Sequence, residues 1–337
     1  VRRHRGGGTH AGPVLKSFFG SGNWYKGNIH CHTLNSDGCL TAEQVIERYK
    51  KKGYSFLAIS DHDIFSNYGV NYNCPEFIVL PAIEASAILY EDKRELNCLR
   101  LHHMLGILGT KEMQENAAQG VWTHLEKVFP QKFYGDWDGN RAGQELQKML
   151  QDHGCIVVYN HPVWSRIREE EFINIRGLNA LEIYNHGNSL YGPSYDAVYW
   201  DILLQKGVRI NGVASDDNHN KPQLDDSFGG YIVVKALSLE QDEIIRSIIE
   251  GNYYSSQGPS FYEWGIKDGI VYVECSPVRQ VRFIAGNFIN AGGIVNAASP
   301  RDLITYAEFQ LKGNENYLRV ECTDTQGKIA WTNPIYL

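Results

Sequence analysis

Two histidines separated by one residue form the first candidate metal-binding pair of the chain. His30 and His32 flank Cys31, and because side chains alternate between the two faces of a strand, both imidazoles would lie on the same face. Such a pair can chelate one metal ion through its ring nitrogens. Asp37 follows in the sequence Ser-Asp-Gly, where an aspartate is otherwise a common turn residue.

Ionisable side chains recur at the next three apolar runs. His62 lies just after the first of these runs and Glu84 at the end of the second, and a buried charge in such a place needs a partner, which a cation would supply. His102 and His103 are adjacent in the third. Because neighbouring strand residues face opposite sides, only one of these two can face the inside of a barrel, and the pattern leaves open which.

Two later runs end in the remaining candidates. His161 precedes Pro162, and the proline would stop the strand and leave the histidine at its mouth. After the last run, either Asp216 or Asp217 could bind a metal ion. Asp217 is preferred because it stands two residues before His219, which is a chelating D-x-H spacing.

The donors in these motifs are nitrogen and oxygen atoms, which suit Zn²⁺, Mn²⁺ or Fe²⁺. The chain offers more candidates than one ion needs, so we expect a site of two or three divalent ions. Paired ions can bind the attacking hydroxide and the leaving oxygen of an in-line displacement. The residues therefore indicate a metal-dependent hydrolase.

The candidate ligands are carried by short apolar runs that alternate with helical patterns. Thr41 with Gln44 forms a capping box, and Gly154 and Gly207 follow two further helical patterns. This alternation indicates parallel strands with right-handed crossovers, in an open sheet or a barrel, with an active site at the carboxyl ends of the strands. The predicted strands are Asn28–His32, Ser55–Ser60, Phe77–Ser86, Leu101–Gly109, Cys155–Asn160, Ala180–Asn185 and Val208–Ser215.

The character of the sequence changes near Gly258. Residues 24–258 carry the alternating pattern, whereas residues 259–337 consist of short strand-like runs between turns, which predicts a small all-β, sandwich-like domain. Residues 1–23 are treated as an N-terminal arm. An aromatic-rich insertion, residues 111–140, is expected to act as a lid over the site or to pack as a cover on one side.

Composition and charge exclude several classes of protein. The chain of 337 residues has a net charge of −7 with 32 basic residues, so it lacks the broad cationic face that a long nucleic acid would need. No run approaches the ~20 apolar residues of a membrane span. The seven cysteines include no CxxC pair, which argues against a disulfide framework or a thiolate zinc site and favours the reducing cytoplasm.

The order of the motifs resembles that of the PHP (polymerase and histidinol phosphatase) superfamily. The resemblance covers roughly residues 24–258 and implies an α/β fold, a distorted (β/α)7 barrel that holds up to three metal ions. The all-β domain that follows lies outside the superfamily's common core. The early Ser-Asp-Gly and Ser-Asp-His-Asp look most like the stand-alone phosphoesterase branch. The matching segments are His30-Cys31-His32, Ser36-Asp37-Gly38, Ser60-Asp61-His62-Asp63, Ile83-Glu84-Ala85-Ser86, His103-Met104-Leu105-Gly106, Asn160-His161-Pro162 and Asp217-Asn218-His219.

Carried over position by position, the resemblance implies nine metal ligands. His103 is preferred to His102 because of its position relative to the Leu-Gly step that follows. Many relatives have Ser-Asp-x-His, whereas the segment Ser215–His219 is one residue longer, so the choice between its two aspartates stays open. The implied ligands are His30, His32, Asp37, His62, Glu84, His103, His161, Asp217 and His219.

Hydrolysis of a small phosphate ester is the reaction that the resemblance implies, with His62, His161 or His219 as the acid and Arg166 as a charge-neutralising cation. Trp164 would either stack on a nucleoside or sugar or simply pack in the wall of the site. One alternative is an amidohydrolase-like enzyme that cuts C–N or C–O bonds, although the strand-end motifs lack the lysine that often bridges such sites. The other is a non-catalytic, metal-containing binding protein. The oligomeric state is left open.

Overall fold

The computed structural model of the chain describes residues 14–16, 18, 20–192 and 196–337. The helices are α1 (Ala42–Lys51), α2 (Gly69–Tyr72), α3 (Lys111–Glu115), α4 (Gly139–Asp152), α5 (Glu169–Phe172), α6 (His186–Tyr191), α7 (Asp196–Gln205) and α8 (Gln241–Glu250). The strands are β1 (Leu15–Lys16), β2 (Asn23–Asn28), β3 (Phe56–Ile59), β4 (Ile64–Phe65), β5 (Ile78–Tyr90), β6 (Cys98–Leu108), β7 (Glu126–Lys127), β8 (Gln131–Tyr134), β9 (Cys155–Tyr159), β10 (Ala180–Asn185), β11 (Asn211–Ser215), β12 (Tyr231–Ala236), β13 (Tyr253–Ser256), β14 (Phe261–Lys267), β15 (Ile270–Val278), β16 (Gln280–Ala285), β17 (Gly293–Asn296), β18 (Ile304–Gln310), β19 (Tyr317–Thr323), β20 (Ile329–Thr332) and β21 (Ile335–Tyr336).

A mixed sheet of 15 strands forms the centre of this α/β protein. Its strand order is β11-β10-β9-β6-β5-β3-β2-β12-β13-β20-β19-β16-β17, with β8 added at β5 and β21 at β19. The pairs β2–β3, β3–β5, β9–β10 and β10–β11 are parallel, as the alternation predicts. The first seven strands of this order correspond to the seven predicted strands, and the candidate ligands lie on them or in the segments that follow them.

The prediction that all seven of these strands are parallel is wrong at β6, which is antiparallel to both β5 and β9. β5 and β6 are joined by residues 91–97 alone. A parallel crossover needs a dozen or more residues, so this short connection can only return the chain antiparallel to β5.

The large sheet is open, and the predicted barrel is not confirmed. Among the described residues no strand ladder joins β11 to β2, the two ends of the seven-strand series. Two backbone hydrogen bonds connect the segments that follow these strands: Asp217 N donates to His30 O and His32 N donates to Asn218 O, each at 3.0 Å. These bonds place the segments after β2 and β11 side by side.

Two sheets pack against each other in the C-terminal part of the chain. β1, β14, β15 and β18 form a four-stranded sheet, while β20, β19, β16 and β17 continue the large sheet beyond β13. Val273 of β15 and Val320 of β19 belong to one buried cluster, so apolar side chains fill the space between the sheets. Because β13 pairs with β20, the chain on both sides of Gly258 shares one sheet, and the division into 24–258 and 259–337 stays a prediction.

The predicted N-terminal arm and the predicted insertion both contact the sheets of the protein. Most of the predicted arm, residues 1–23, lies outside the described residues, but Leu15–Lys16 pair with β14 and Phe18 is buried. The predicted insertion, residues 111–140, packs on the sheet: β8 pairs with β5, and the buried Trp122 stacks on His153 with ring centroids 3.8 Å apart.

Helix ends follow the turn chemistry that the sequence predicts. Gln44 N donates to the Thr41 side chain and Thr41 N donates to the Gln44 side chain, which completes the capping box of α1. α4 and α7 end shortly before Gly154 and Gly207, whose φ angles of 79° and 78° lie in the region that glycine adopts without strain. Within the described part of the chain, no helix has the length and apolar composition needed to cross a membrane.

Candidate metal centre

The nine predicted ligands lie in one cluster at one end of the seven-strand series. His30 and His32 were expected inside a strand, but β2 already ends at Asn28 and both histidines follow it. Their rings nevertheless lie on the same side, with centroids 5.2 Å apart. The backbone bonds to the segment after β11 keep this stretch extended, which is why the alternation argument still places both imidazoles correctly.

Glu84 of β5 is the centre of the cluster. Its carboxylate is fully buried and faces five histidines from four different segments. The contacts of Oε2 are His30 Nε2 at 3.2 Å, His32 Nε2 at 3.2 Å and His62 Nδ1 at 3.1 Å. The contacts of Oε1 are His103 Nδ1 at 3.1 Å and His161 Nε2 at 3.2 Å.

A second carboxylate completes a fully buried inner set. Asp217 Oδ1 lies 2.9 Å from His32 Nε2 and 3.2 Å from His30 Nε2. With Glu84, these side chains offer two nitrogens and two oxygens within 4.8 Å of one another. Ligands held about 2.1 Å from one shared ion lie roughly 3.0–3.4 Å apart, so the observed separations match those of ligands to a common ion.

Two further donor sets overlap with the inner one. His62, Glu84 and His103 form the second, and Asp37 with His32, His62 and His219 forms the outer, more exposed third. Asp37 Oδ1 is 3.2 Å from His219 Nε2 and 3.6 Å from His62 Nε2. The overlap matches the surplus of candidates found in the sequence, and all seven cysteines are free thiols outside these sets.

Several donor atoms of the cluster are buried without a hydrogen-bond partner. They are His30 Nε2, His32 Nε2, Glu84 Oε2 and His103 Nδ1. Each lies within about 3.2 Å of a nitrogen or oxygen atom across the cluster, yet none makes a hydrogen bond of acceptable geometry. Buried polar groups are normally satisfied, so such a group of converging unpaired atoms fits a bound cation.

Hydrogen bonds at the far side of two rings fix which nitrogen can bind a metal. His30 Nδ1 lies 2.8 Å from Glu182 Oε1, and His219 Nδ1 lies 2.9 Å from the carbonyl oxygen of Asp217. Because a carboxylate and a carbonyl only accept, both Nδ1 atoms carry the proton. The Nε2 lone pairs of His30 and His219 are therefore free to face the cluster.

Burial and facing charges act in opposite directions on the titratable groups. Burial disfavours the charged form of Glu84, but the facing histidines hold the pKa of its carboxyl well below the usual value. For Asp217 too, burial is outweighed by the facing histidines, which lower its pKa. Burial lowers the pKa of His103 to about 4. Ionised carboxylates and a neutral imidazole are the states that bind metal.

Two residues of the cluster have backbone conformations that side chains rarely adopt. The φ angles of His161 and Asp217 are 25° and 51°. Such conformations cost on the order of 1–3 kcal/mol each and persist where the surroundings enforce them, often at functional sites. Here they turn both side chains toward Glu84 directly after β9 and β11.

The structure separates the two pairs that the sequence left open. His103 faces Glu84, whereas both ring nitrogens of His102 are engaged elsewhere, with Tyr159 Oη at 2.6 Å and Gly139 O at 2.7 Å. Asp217 faces the inner set. Asp216 instead accepts hydrogen bonds from the Tyr49 hydroxyl and from the backbone of residues 228–230.

Arg166 is not brought to the cluster. It is exposed, and its guanidinium donates to the carbonyl oxygens of Val163 and Trp164 at 3.0 and 3.3 Å. The cationic side chain that lines the site is Lys221, which the sequence reasoning missed. Nothing in its local sequence distinguishes it from a surface lysine.

Two buried carboxylates that support the ligands were also missed as such. Glu182 accepts hydrogen bonds from His30 Nδ1, His161 N, Asn185 Nδ2 and the Ser215 hydroxyl. Asp61 accepts from the backbone and hydroxyl of Thr33 and from the Ser36 hydroxyl, each at 2.7 Å, which holds the loop before Asp37. The sequence signal that could have identified Glu182 is its position as a charged residue inside the apolar run Ala180–Asn185.

A cleft of about 260 Å³ opens directly onto the cluster. Six of the predicted ligands line it, from five different segments of the chain, and Trp164, Asn188, Tyr191 and Lys221 form further parts of its surface. Larger cavities exist elsewhere on the molecule, but they contain no comparable donor set. The cleft therefore defines where a substrate would meet the candidate metal centre.

Comparisons with known proteins found solved structures that are similar to this chain at low sequence identity. No protein-family model and no curated protein matches the sequence. A two-domain protein from Bacteroides vulgatus with a predicted PHP-like metal-dependent phosphoesterase is 11% identical, with a TM-score of 0.46, and the match covers 96% of this chain and 97% of that one. A proposed metal-dependent phosphoesterase from Bifidobacterium adolescentis is 18% identical, with a TM-score of 0.38 and coverage of 58% and 88%.

The structural neighbours of this chain thus include PHP-like phosphoesterases. A third similar structure is an amidohydrolase from Chromobacterium violaceum with bound sulfate and no metal, 14% identical, with a TM-score of 0.40 and coverage of 67% of this chain and 96% of that one. All three TM-scores are below 0.5, so the function proposed for this chain rests on its motifs and on the geometry of the cluster.

Proposed function

We propose that the chain is a metal-dependent phosphoesterase that hydrolyses a small phosphate ester at a centre of two or three divalent ions. The observation that carries this proposal is the sharing of Glu84 between two donor sets whose buried atoms lack hydrogen-bond partners. When bound, such ions supply Lewis acidity and lower the pKa of a coordinated water. The nitrogen and oxygen donors suit Mn²⁺, Zn²⁺ or Fe²⁺.

Each donor set has a distinct place in this proposal. His30, His32, Glu84 and Asp217 would hold the most buried ion. Glu84 would be shared with a second ion held by His62, His103 and His161. Asp37 and His219 would hold a third ion near the cleft, together with the ring of His32 or His62.

The chain's own residues would supply the proton for the leaving oxygen. His62, His161 and His219 all line the cleft. A ring that holds an ion cannot also donate a proton, so one of these rings would act as the acid only where it is not a ligand. In a centre of two ions His219, which is 18% exposed, would be free for this role, whereas His62 and the buried His161 would hold the second ion. Lys221, rather than Arg166, would face a phosphate group in the cleft.

A small substrate fits the dimensions and charge of the site. The cleft volume of about 260 Å³ lies below the roughly 300–1,000 Å³ of pockets for drug-sized ligands. The net charge of −7 disfavours a long nucleic acid. A cytoplasmic location, inferred from the cysteine pattern, belongs to the same proposal.

Metal analysis combined with a substrate screen tests the proposal. Purified protein is assayed for bound transition metal and for phosphate release from a panel of monoesters with added Mn²⁺, Zn²⁺ or Fe²⁺. Amides and carboxylic esters are assayed in parallel. Phosphate release is expected; cleavage of C–N or C–O bonds alone would favour an amidohydrolase-like enzyme, and tight metal binding without any turnover would favour a binding protein.

A further inference from the structure

Two large aromatic side chains line the metal cleft and stay open to solvent. Trp164 is 44% exposed and Tyr191 is 65% exposed. Trp164 is the most exposed of the seven tryptophans; Trp24 follows at 37%, and the other five are buried or partly buried. Burying a ring of this size contributes more than burying any aliphatic side chain, so an exposed tryptophan beside an active site offers surface for a ligand. We call Trp164 and Tyr191 the aromatic pair.

A tightly bonded turn presents Trp164 to the cleft. Ser165 N donates to His161 O at 3.1 Å, and Ile167 N donates to Pro162 O at 3.2 Å. The Arg166 guanidinium donates to the carbonyl oxygens of Val163 and Trp164. The turn is therefore ordered before any ligand arrives, which lowers the entropic cost of binding.

Trp164 also borders the metal centre directly. Its ring centroid lies 5.1 Å from that of His161 and 6.2 Å from that of His103, at an interplanar angle of 30° to the latter. Trp164 thus forms the wall of the cleft beside these histidines, and the organic group of a substrate whose phosphoryl group is held there would pass along it. Tyr191, at the end of α6, lines the same cleft.

We propose that the aromatic pair binds the leaving group and that the substrate is a phosphate monoester whose leaving group carries a planar ring. This inference rests on the proposed phosphoesterase function. Offset stacking on tryptophan favours aromatic and heteroaromatic groups over aliphatic ones of the same charge. A sugar phosphate or an alkyl phosphate would leave the pair unused.

Binding of two non-hydrolysable phosphonates to the Mn²⁺-loaded protein tests this proposal. Phenylphosphonate and methylphosphonate carry the same charged group and differ in the ring. By isothermal titration calorimetry, we expect the wild-type protein to bind phenylphosphonate about tenfold more tightly, the ratio that stacking supplies. Trp164→Ala should bring the ratio close to one, Trp164→Phe should keep most of it, and Tyr191→Ala should reduce it in part.

Tyr262→Ala is the matched control, because Tyr262 is 58% exposed and does not line the cleft; its ratio should equal that of the wild type. Equal affinities for the two phosphonates, or a ratio unchanged in Trp164→Ala, would overturn the role of the aromatic pair. If the wild type releases phosphate from monoesters in that case, the proposed function stands. Failure to release phosphate from any ester would instead overturn the proposed function, whatever the phosphonate ratio.

Discussion

Glu182 and His30 form a buried carboxylate–imidazole pair, with Glu182 Oε1 2.8 Å from His30 Nδ1 and both side chains inaccessible to solvent. The opposite nitrogen of the same ring lies 3.2 Å from Glu84 and from Asp217. Glu182 thus orients a ring whose other side faces the candidate metal centre. Carboxylates in this position fix the tautomer and raise the basicity of a metal-binding histidine.

Glu182→Gln should weaken metal binding about 10- to 100-fold while the fold persists. The carboxylate accepts four hydrogen bonds, and the amide nitrogen of glutamine cannot accept any of them. The measurement is a competition titration against a chromophoric chelator, with circular dichroism to verify the fold. Glu250→Gln alters an exposed glutamate and serves as control; metal affinity of Glu182→Gln equal to that of this control would exclude a positioning role.

Asp216 and Asp217 should respond differently to the same substitution. Asp217→Asn is expected to lower bound metal and turnover, because its oxygens face the inner donor set. Asp216→Asn should instead lower the free energy of unfolding by about 1–3 kcal/mol, since its buried carboxylate holds the backbone of residues 228–230. Metal content and urea denaturation of both variants give the answer; an exchanged pattern would show that the other aspartate binds metal.

Stability should depend on pH through His102. Burial lowers its pKa from 6.5 to about 4. Between these values the unfolded chain binds a proton that the folded chain does not, so stability falls as the pH drops through this window. The shift corresponds to about 3 kcal/mol at most.

The difference in unfolding free energy between pH 7 and pH 4 should therefore be smaller in His102→Gln than in the wild-type protein, both treated with chelator. Gln119→Ala, which changes an exposed side chain without a titratable group, should keep the wild-type pH dependence. An unchanged pH dependence in His102→Gln would mean that His102 titrates normally in the folded protein.

Arg319 should be important for stability far from the cluster. Its guanidinium is 1% exposed and donates to both carboxylate oxygens of Asp201 in α7, at 2.9 and 2.7 Å, and to Glu321 at 2.8 Å. Arg319→Met leaves Asp201 without its cation and Glu321 with Arg282 alone, and we expect a loss of about 3–5 kcal/mol in urea denaturation. Arg282→Met removes a more exposed arginine from the same Glu321 and should cost less than 1 kcal/mol; equal losses would contradict this account.

Local patterns predicted much of the fold and of the candidate site. Apolar runs with polar ends located β3, β5, β9, β10 and β11, because a strand buried on both faces is apolar over most of its length. Ionisable residues after such runs identified His62 and His161, and the family resemblance selected His103. Glu84 was predicted at the end of its strand but lies inside β5, which continues to Tyr90.

Long-range relationships could not be predicted from local patterns. The direction of β6 depends on the length of the connection that precedes it, which the periodicity of the strand does not contain. Arg166 was predicted to neutralise a phosphate because it follows His161 in the sequence. Its φ angle of 59° and its hydrogen bonds to two carbonyl oxygens instead hold its guanidinium against residues 163–164. Lys221 lies in the cleft only because the segment after β11 folds back beside β2.

Metal content measured together with phosphate release tests the central claim most directly. The protein is purified without chelator, analysed by inductively coupled plasma mass spectrometry, and assayed on phosphate monoesters alongside Glu84→Gln. We expect two or three equivalents of divalent transition metal and phosphate release in the wild type, and the loss of both, with the fold retained, in Glu84→Gln. Absence of bound metal together with no release under added Mn²⁺, Zn²⁺ or Fe²⁺, or near-normal turnover in Glu84→Gln, would contradict it.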